Sequence, residues 1–280
     1  MSGLSRHGAL ILTALVCTFA AGCAGTMRPR YMFDLPSTLL KRYKAHTQGL
    51  TAISAEARVD QRGEKGRIRG TVLMFAKDSG EVRFDVMTQF GPVMILTSDG
   101  QTFALADMRE HRFLTGPTCA ANISRLLRLP LSAQQAAKVL LGGAPDIPAR
   151  TQSLAWDEDE SLYRLTQTTA DGTQQVLHLS IDPRDEKAPL DSQRILLRAV
   201  YALSPTGQLL WEAHYSEHSY VKSQGGQQFE VPFEVRVLQP SSDTDTLIKF
   251  KDIRPNPEIP EGVFTQPVPA GMTAEEALCE

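Results

Sequence analysis

A chain of 280 residues with 29 basic and 32 acidic side chains, net charge −3 and pI near 6.1, offers no polycationic surface for nucleic acid. With 42% hydrophobic and 22% charged residues it can bury a core, so it is not a disordered segment.

The chain opens on an address. Arg6 is followed by the apolar run Ala9–Ala21, too short to cross a bilayer and shaped like a secretory signal. Ala20, Ala21 and Gly22 precede Cys23, which resembles a bacterial lipobox, so residues 1–22 are expected to leave and Cys23 to carry acyl chains, palmitate among them. Ala24, where an Asp is absent, resembles lipoproteins sent to the outer membrane of Gram-negative bacteria. Residues 23–34 then read as a lipidated tether, and residues 35–280 as one domain, since no linker or repeat divides them.

Leu35, Leu39, Leu40 and Tyr43 share a face of a predicted helix over 35–50, with Pro36 in its first turn. Ile53, Ala55, Ala57 and Val59 share one parity and begin the first strand. From Gly66 to Pro117 short runs alternate apolar and polar residues, as in Val82, Phe84 and Val86. Between them stand turns at Asp78–Gly80, Phe90–Pro92 and Ser98–Gly100. Connections this short force each strand back beside its predecessor, giving an antiparallel meander with one apolar face that another layer must cover.

The period then changes. Ile123, Leu126 and Leu127 have helical spacing ended by Pro130. Ser132 and Gln135 form a capping box for a second helix that carries Ala136, Val139 and Leu140 and stops at Gly142. These two helices are the expected cover. Strands resume at 161–167, 174–181, 192–203, 207–216, 227–238 and 245–253, whereas the acidic run 156–160 reads as a solvated turn. A proline-rich segment over 255–269 closes the chain, with Val263 and Phe264 as its anchors.

Of the chemistry-bearing motifs, His214, Glu217 and His218 match H-x-x-E-H. Zinc ligation by such a pair needs a helix, but the alternation of residues 208–215 indicates a strand, on which Glu217 points away from both histidines. No phosphate loop, nucleophile elbow or Cys–His constellation is present, so neither an enzyme nor a metal or other cofactor is expected. Cys119 and Cys279 are the cysteines left after the signal and Cys23. In an oxidising compartment they are either free thiols or a disulfide, and we expect the bond.

Three segments carry a resemblance. Val82–Gly91 followed by a strand and Asp99–Gly100, the pair Leu126–Ser132 and Val139–Gly142, and the strands Val231–Val237 and Leu247–Ile253 are similar to those of the LolA/LolB family of lipoprotein-sorting proteins. The resemblance implies a mainly β fold with helices (α+β), a strongly curved antiparallel sheet or incomplete barrel of about eleven strands closed by a helical lid. It also implies a non-catalytic protein whose hollow holds the acyl chains of lipids or lipoproteins, acting as a chaperone on the periplasmic side of the outer membrane with a carrier protein as partner. The expected cavity residues are Val82, Phe84, Val86, Ile95, Phe103, Phe113 and Trp211 on strands, and Ile123, Leu127, Val139 and Leu140 in the lid. Phe90, just before Gly91, occupies the place of the family's protruding hydrophobic residue and is expected to meet a membrane close to the Cys23 anchor. The rival reading is a structural or adaptor lipoprotein whose sheet binds a protein partner.

Overall fold

A computed structural model describes residues 28–64, 66–127 and 131–279; the side chains of His46, Leu126 and Leu127 are not among those described. The signal, Cys23 and the first part of the tether lie outside the described residues.

The chain builds α1 (Pro36–Thr47), β1 (Ala52–Gly63), β2 (Gly66–Lys77), β3 (Val82–Thr88), β4 (Gly91–Ser98), β5 (Thr102–Asp107) and β6 (Arg112–Pro117). There follow α2 (Ala120–Leu127), α3 (Ala133–Leu140), β7 (Thr151–Asp157), β8 (Leu162–Thr168), β9 (Gln174–Ile181) and β10 (Ile195–Leu203). The last elements are β11 (Leu209–Lys222), β12 (Gln228–Gln239), β13 (Thr244–Pro255) and β14 (Ala274–Glu276).

All strands belong to one open, curved sheet in the order β14-β6-β5-β4-β3-β2-β1-β13-β12-β11-β10-β9-β8-β7. It consists of two antiparallel meanders, β1–β6 and β7–β13, zipped together where β1 pairs with β13 from Ile53↔Pro255 to Arg62↔Asp245. The expectation of about eleven strands falls short of the 14 found among the described residues. The stretch that became β7 is polar and exposed for most of its length, because it is an edge strand with little apolar alternation to read. Strand β14 is three residues long and exists through its parallel pairing with β6.

The concave face carries the core. Leu39 and Tyr43 of α1, Ile123 of α2, and Ala136, Ala137 and Val139 of α3 join one cluster with Met74, Phe84, Leu96, Phe103, Leu179, Val200 and Val235 from the sheet. Helix α1 packs on β7, β10 and β12, α2 on β5, and α3 on β2, so the cover is divided among three short helices. Helix α3 starts on the expected capping box, with Ser132 Oγ accepting from Gln135 N–H and Gln135 Oε1 from Ser132 N–H. It stops at Gly142, whose φ of 79° suits glycine; there a Cβ would also stand 2.4 Å from Pro232 Cδ of β12. Tyr215 of β11 donates to the Gly143 carbonyl at 2.9 Å, so the end of α3 is tied to the second meander.

The convex face of the first meander is covered by the C-terminal segment. Arg83 donates to the Val263 carbonyl, the Lys77 ammonium lies 4.9 Å from the Phe264 ring centre, and Gln266 donates to the carbonyls of Ile95 and Ala104. The strap then forms β14 and ends in a disulfide between Cys279 and Cys119, with Cα atoms 6.1 Å apart. A glycine is needed at 116 for this docking, since a Cβ there would lie 2.2 Å from the Ala277 carbonyl oxygen.

Candidate functional site: an apolar hollow at the upper end of the sheet

Strand direction gives the sheet two ends. At the upper end stand the β1–β2, β3–β4, β5–β6 and β12–β13 turns, and at the lower end the β2–β3 and β7–β8 turns. The hollow opens among the upper ends of β1 to β4, β12 and β13, under α2 and α3, with a volume of about 180 Å³. Its wall is apolar because facing residues of consecutive hairpins stack by register. Val72 faces Val86, Val86 faces Met94, and Met74 faces Phe84, while Ala136, Val139 and Leu140 close it from α3. Val237 and Ile248 bring in the second meander. The buried polar pair at its edge is satisfied, with Gln61 Nε2 donating to Thr246 Oγ1 at 2.9 Å.

Phe84, Val86, Val139 and Leu140 border this hollow as expected residues. Val82, Phe103, Ile123 and Trp211 lie on the same face but are packed into the core cluster and do not border the space. The side chain of Leu127 is outside those described. Ile95 and Phe113 need correction. Both belong to a second cluster on the convex face, with Ala104, Ala106 and Met272 of the strap. The physical reason is parity. Val93 to Leu96 are apolar without a break and so do not show which face each residue takes, and a register shift at Val86/Met87 selects Met94 and Leu96 for the concave side. On β6 the same ambiguity resolves as Leu105↔Leu114 inside and Ala106↔Phe113 outside.

Among those missed by the sequence reading were Val72, Met74, Met94, Val237 and Ile248 of the wall and the two charged residues at its border, Arg109 and Arg125. Met74 was findable, since the Asp78–Gly80 turn sets it opposite Phe84. Ile248 was not, because it depends on the pairing of β1 with β13, about 190 residues away.

Beside the hollow, the β3–β4 turn closes on its own polar groups. Thr88 Oγ1 donates to the Gly91 carbonyl at 2.9 Å and accepts from Phe90 N–H at 3.3 Å. Gly91 takes φ 113°, a conformation L side chains avoid. Phe90 packs on nothing and is 90% exposed. The chain enters at the other end of the molecule. There Arg28 lies 3.7 Å from Glu158 in the β7–β8 turn, Phe33 N–H donates to Tyr163 Oη at 3.0 Å, and Gln193 donates to the Tyr31 carbonyl.

The histidine motif sits on β11 as the alternation indicated. His214 Nε2 is 3.3 Å from Glu212 Oε1, whereas His218 lies 3.4 Å from an Arg198 nitrogen. Burial, with the Arg198 guanidinium adding to it, pushes the His218 imidazole down to about 4. Glu217 has φ 55° and faces solvent. Among the described residues no group of three or more His, Cys, Asp or Glu side chains is placed to hold a metal ion, and no helix is long and apolar enough to cross a membrane.

No protein-family model and no curated protein matches the sequence. Solved structures do match the fold. An outer membrane lipoprotein-sorting protein domain of Vibrio parahaemolyticus superimposes with a TM-score of 0.53 at 12% identity, covering 81% of this chain and 94% of that one. A LolA-superfamily protein of Nitrosomonas europaea gives 0.53 at 10% identity over 82% and 97% of the two chains. A DUF1329-family protein of Desulfovibrio piger gives 0.51 at 12% identity over 82% and 95%. The chain therefore has the LolA-type fold, which is what Val82–Gly91 and the two helices resembled.

Proposed function

We propose that this protein is a non-catalytic, lipid-anchored envelope protein that binds an acyl chain of a lipid or lipoprotein in the hollow between its sheet and its helices. The observation that carries the reading is an apolar space in a LolA-type fold whose wall is built from Val72, Met74, Phe84, Val86, Val139 and Leu140. An acyl chain leaving a bilayer loses about 0.8 kcal/mol per methylene unless an apolar wall receives it. Here the wall, and no reacting group, is what binding requires. Cys23 would hold the domain to the periplasmic side of the outer membrane, Phe90 with Gly91 would touch the lipid surface beside the mouth, and a soluble carrier would bring or remove cargo.

Native mass spectrometry of the domain purified without its first 23 residues tests this. A co-purifying lipid, lost when Val139→Trp fills the hollow of a protein that still folds, is the expected result. A protein free of lipid that also takes none up from vesicles would favour the adaptor reading.

A further inference from the structure

The border of the hollow has a chemistry that its wall does not explain. Among the residues that line it, the ionisable ones are Arg109, in the β5–β6 turn, and Arg125, in the last turn of α2. No carboxylate lines the space. Arg125 uses Nε on Asn122 Oδ1 at 3.0 Å and makes no ion pair among the described residues. Asn122 is itself fully buried and fixed by the carbonyls of Pro117 and Ala277, so the root of the Arg125 side chain is held in place. Arg109 rests along Met94 Sδ at 3.4 Å. Its guanidinium also pairs with Asp107 Oδ2 at 3.5 Å, a long contact, while Asp107 Oδ1 accepts the backbone N–H groups of Arg109 and Glu110.

We infer that the mouth selects an amphiphile with an anionic head group, whose oxyanion meets Arg109 and Arg125 while its chain enters the hollow. The inference rests on the acyl-binding reading and names the ligand class that reading leaves open. A chain drawn into the wall leaves its head at the border. A guanidinium offers a planar pair of donors that fits a carboxylate or phosphate, whereas a neutral head gains little from it. The size of the hollow sets the chain count. An apolar cavity of about 150 Å³ accepts one benzene-sized molecule, so about 180 Å³ accepts a segment of one chain. A fatty acid and a lysophospholipid share this chemistry, one tail with an anionic end.

The test is equilibrium binding of three single-chain probes to the soluble domain: oleate, monopalmitoyl phosphatidate and uncharged monopalmitoyl glycerol. Both anionic probes are expected to bind at least tenfold tighter than the neutral one, with the margin shrinking as salt is raised. Oleate binding alone, or phosphatidate binding alone, assigns the head group to carboxylate or to phosphate. Arg109→Gln with Arg125→Gln should bring all three probes to the neutral level at unchanged Tm, and Arg→Lys at both sites should restore part of the preference. Gly70→Leu fills the hollow from a position where an added Cβ meets nothing nearer than 3.7 Å, and should abolish binding of all three. Equal affinities in the wild type, or a preference that survives the double Gln variant, overturn the head-group inference alone. Failure of every probe to bind, or binding untouched by Gly70→Leu, overturns the acyl-binding reading and the inference with it.

Discussion

Phe90 shows how much one residue can say when its surroundings are silent. The turn that bears it is closed by Thr88 and by the φ of Gly91, so the aromatic ring contributes nothing to folding the hairpin. A 90% exposed phenylalanine beside an apolar mouth gains about 1–3 kcal/mol by entering a lipid interface. We therefore expect Phe90→Glu to keep its melting temperature and its bound lipid, while lipid transfer to added liposomes falls about tenfold or more. A lowered melting temperature with binding lost in step would show that the ring supports the fold instead. Ile95 and Phe113 teach the opposite lesson. Each is as apolar as Phe84, yet both serve the strap on the convex side, because in an all-apolar run a single register shift decides the face.

At the level of elements, the C-terminal strap is the least self-sufficient part of the fold. Strand β14 has three residues, all exposed, and is held by its ladder with β6, by the Arg112–Glu275 ion pair, and by the Cys119–Cys279 bond. The ion pair is exposed on both sides and contributes little. The disulfide closes a span of 160 residues and restricts the unfolded chain by about 2–4 kcal/mol. Cys119→Ser should lower the melting temperature by roughly 5–10 °C and open residues after 255 to limited proteolysis, while amide exchange in β1 and β13 stays slow. A strap as protease-resistant in the variant as in the wild type would mean that Gln266 and the Phe264 contact suffice. The helices behave differently. Helices α1 and α3 are each seated by buried apolar faces, and Tyr215 joins the loop after α3 to the second meander, so they form one cover with the sheet.

At the scale of the whole molecule, residues 28–33, which follow the expected anchor, and the mouth of the hollow stand at opposite ends of the sheet. Arg28 and Phe33 are held beside β7 and β8 at the lower end, while Phe90 and the hollow open at the upper end, eight strand positions away from β8. A seven-residue strand such as β3 separates the two ends by roughly 23 Å. Five residues from Cys23 to Arg28 reach at most about 18 Å. With residues 28–33 docked, an acyl group on Cys23 would hold the lower end nearer its bilayer than Phe90, so whether the tether brings the two together turns on whether that segment stays docked. The lipidated protein should deliver lipid to separate vesicles faster than to its own, and a flexible insertion of about 20 residues before Arg28 should raise delivery to its own bilayer. Equal delivery to both without the insertion would show that residues 28–33 leave their site at the membrane.

From the sequence alone came most of what depends on near neighbours along the chain. The alternation of Val82, Phe84 and Val86, the turn at Asp78–Gly80, the Ser132–Gln135 capping box and the strand character of His214–His218 were legible because period and turn chemistry act over a few residues. The segments so recognised were enough to indicate a LolA-type fold. Tertiary structure alone decided the joining of the meanders through β1 and β13, the facing of Ile95 and Phe113, the existence of β14, and the meeting of Arg109 with Arg125 at one mouth. Each of these is a long-range pairing or a choice of face. Such choices are settled by how the whole sheet closes and registers, and no local run of side chains carries that information.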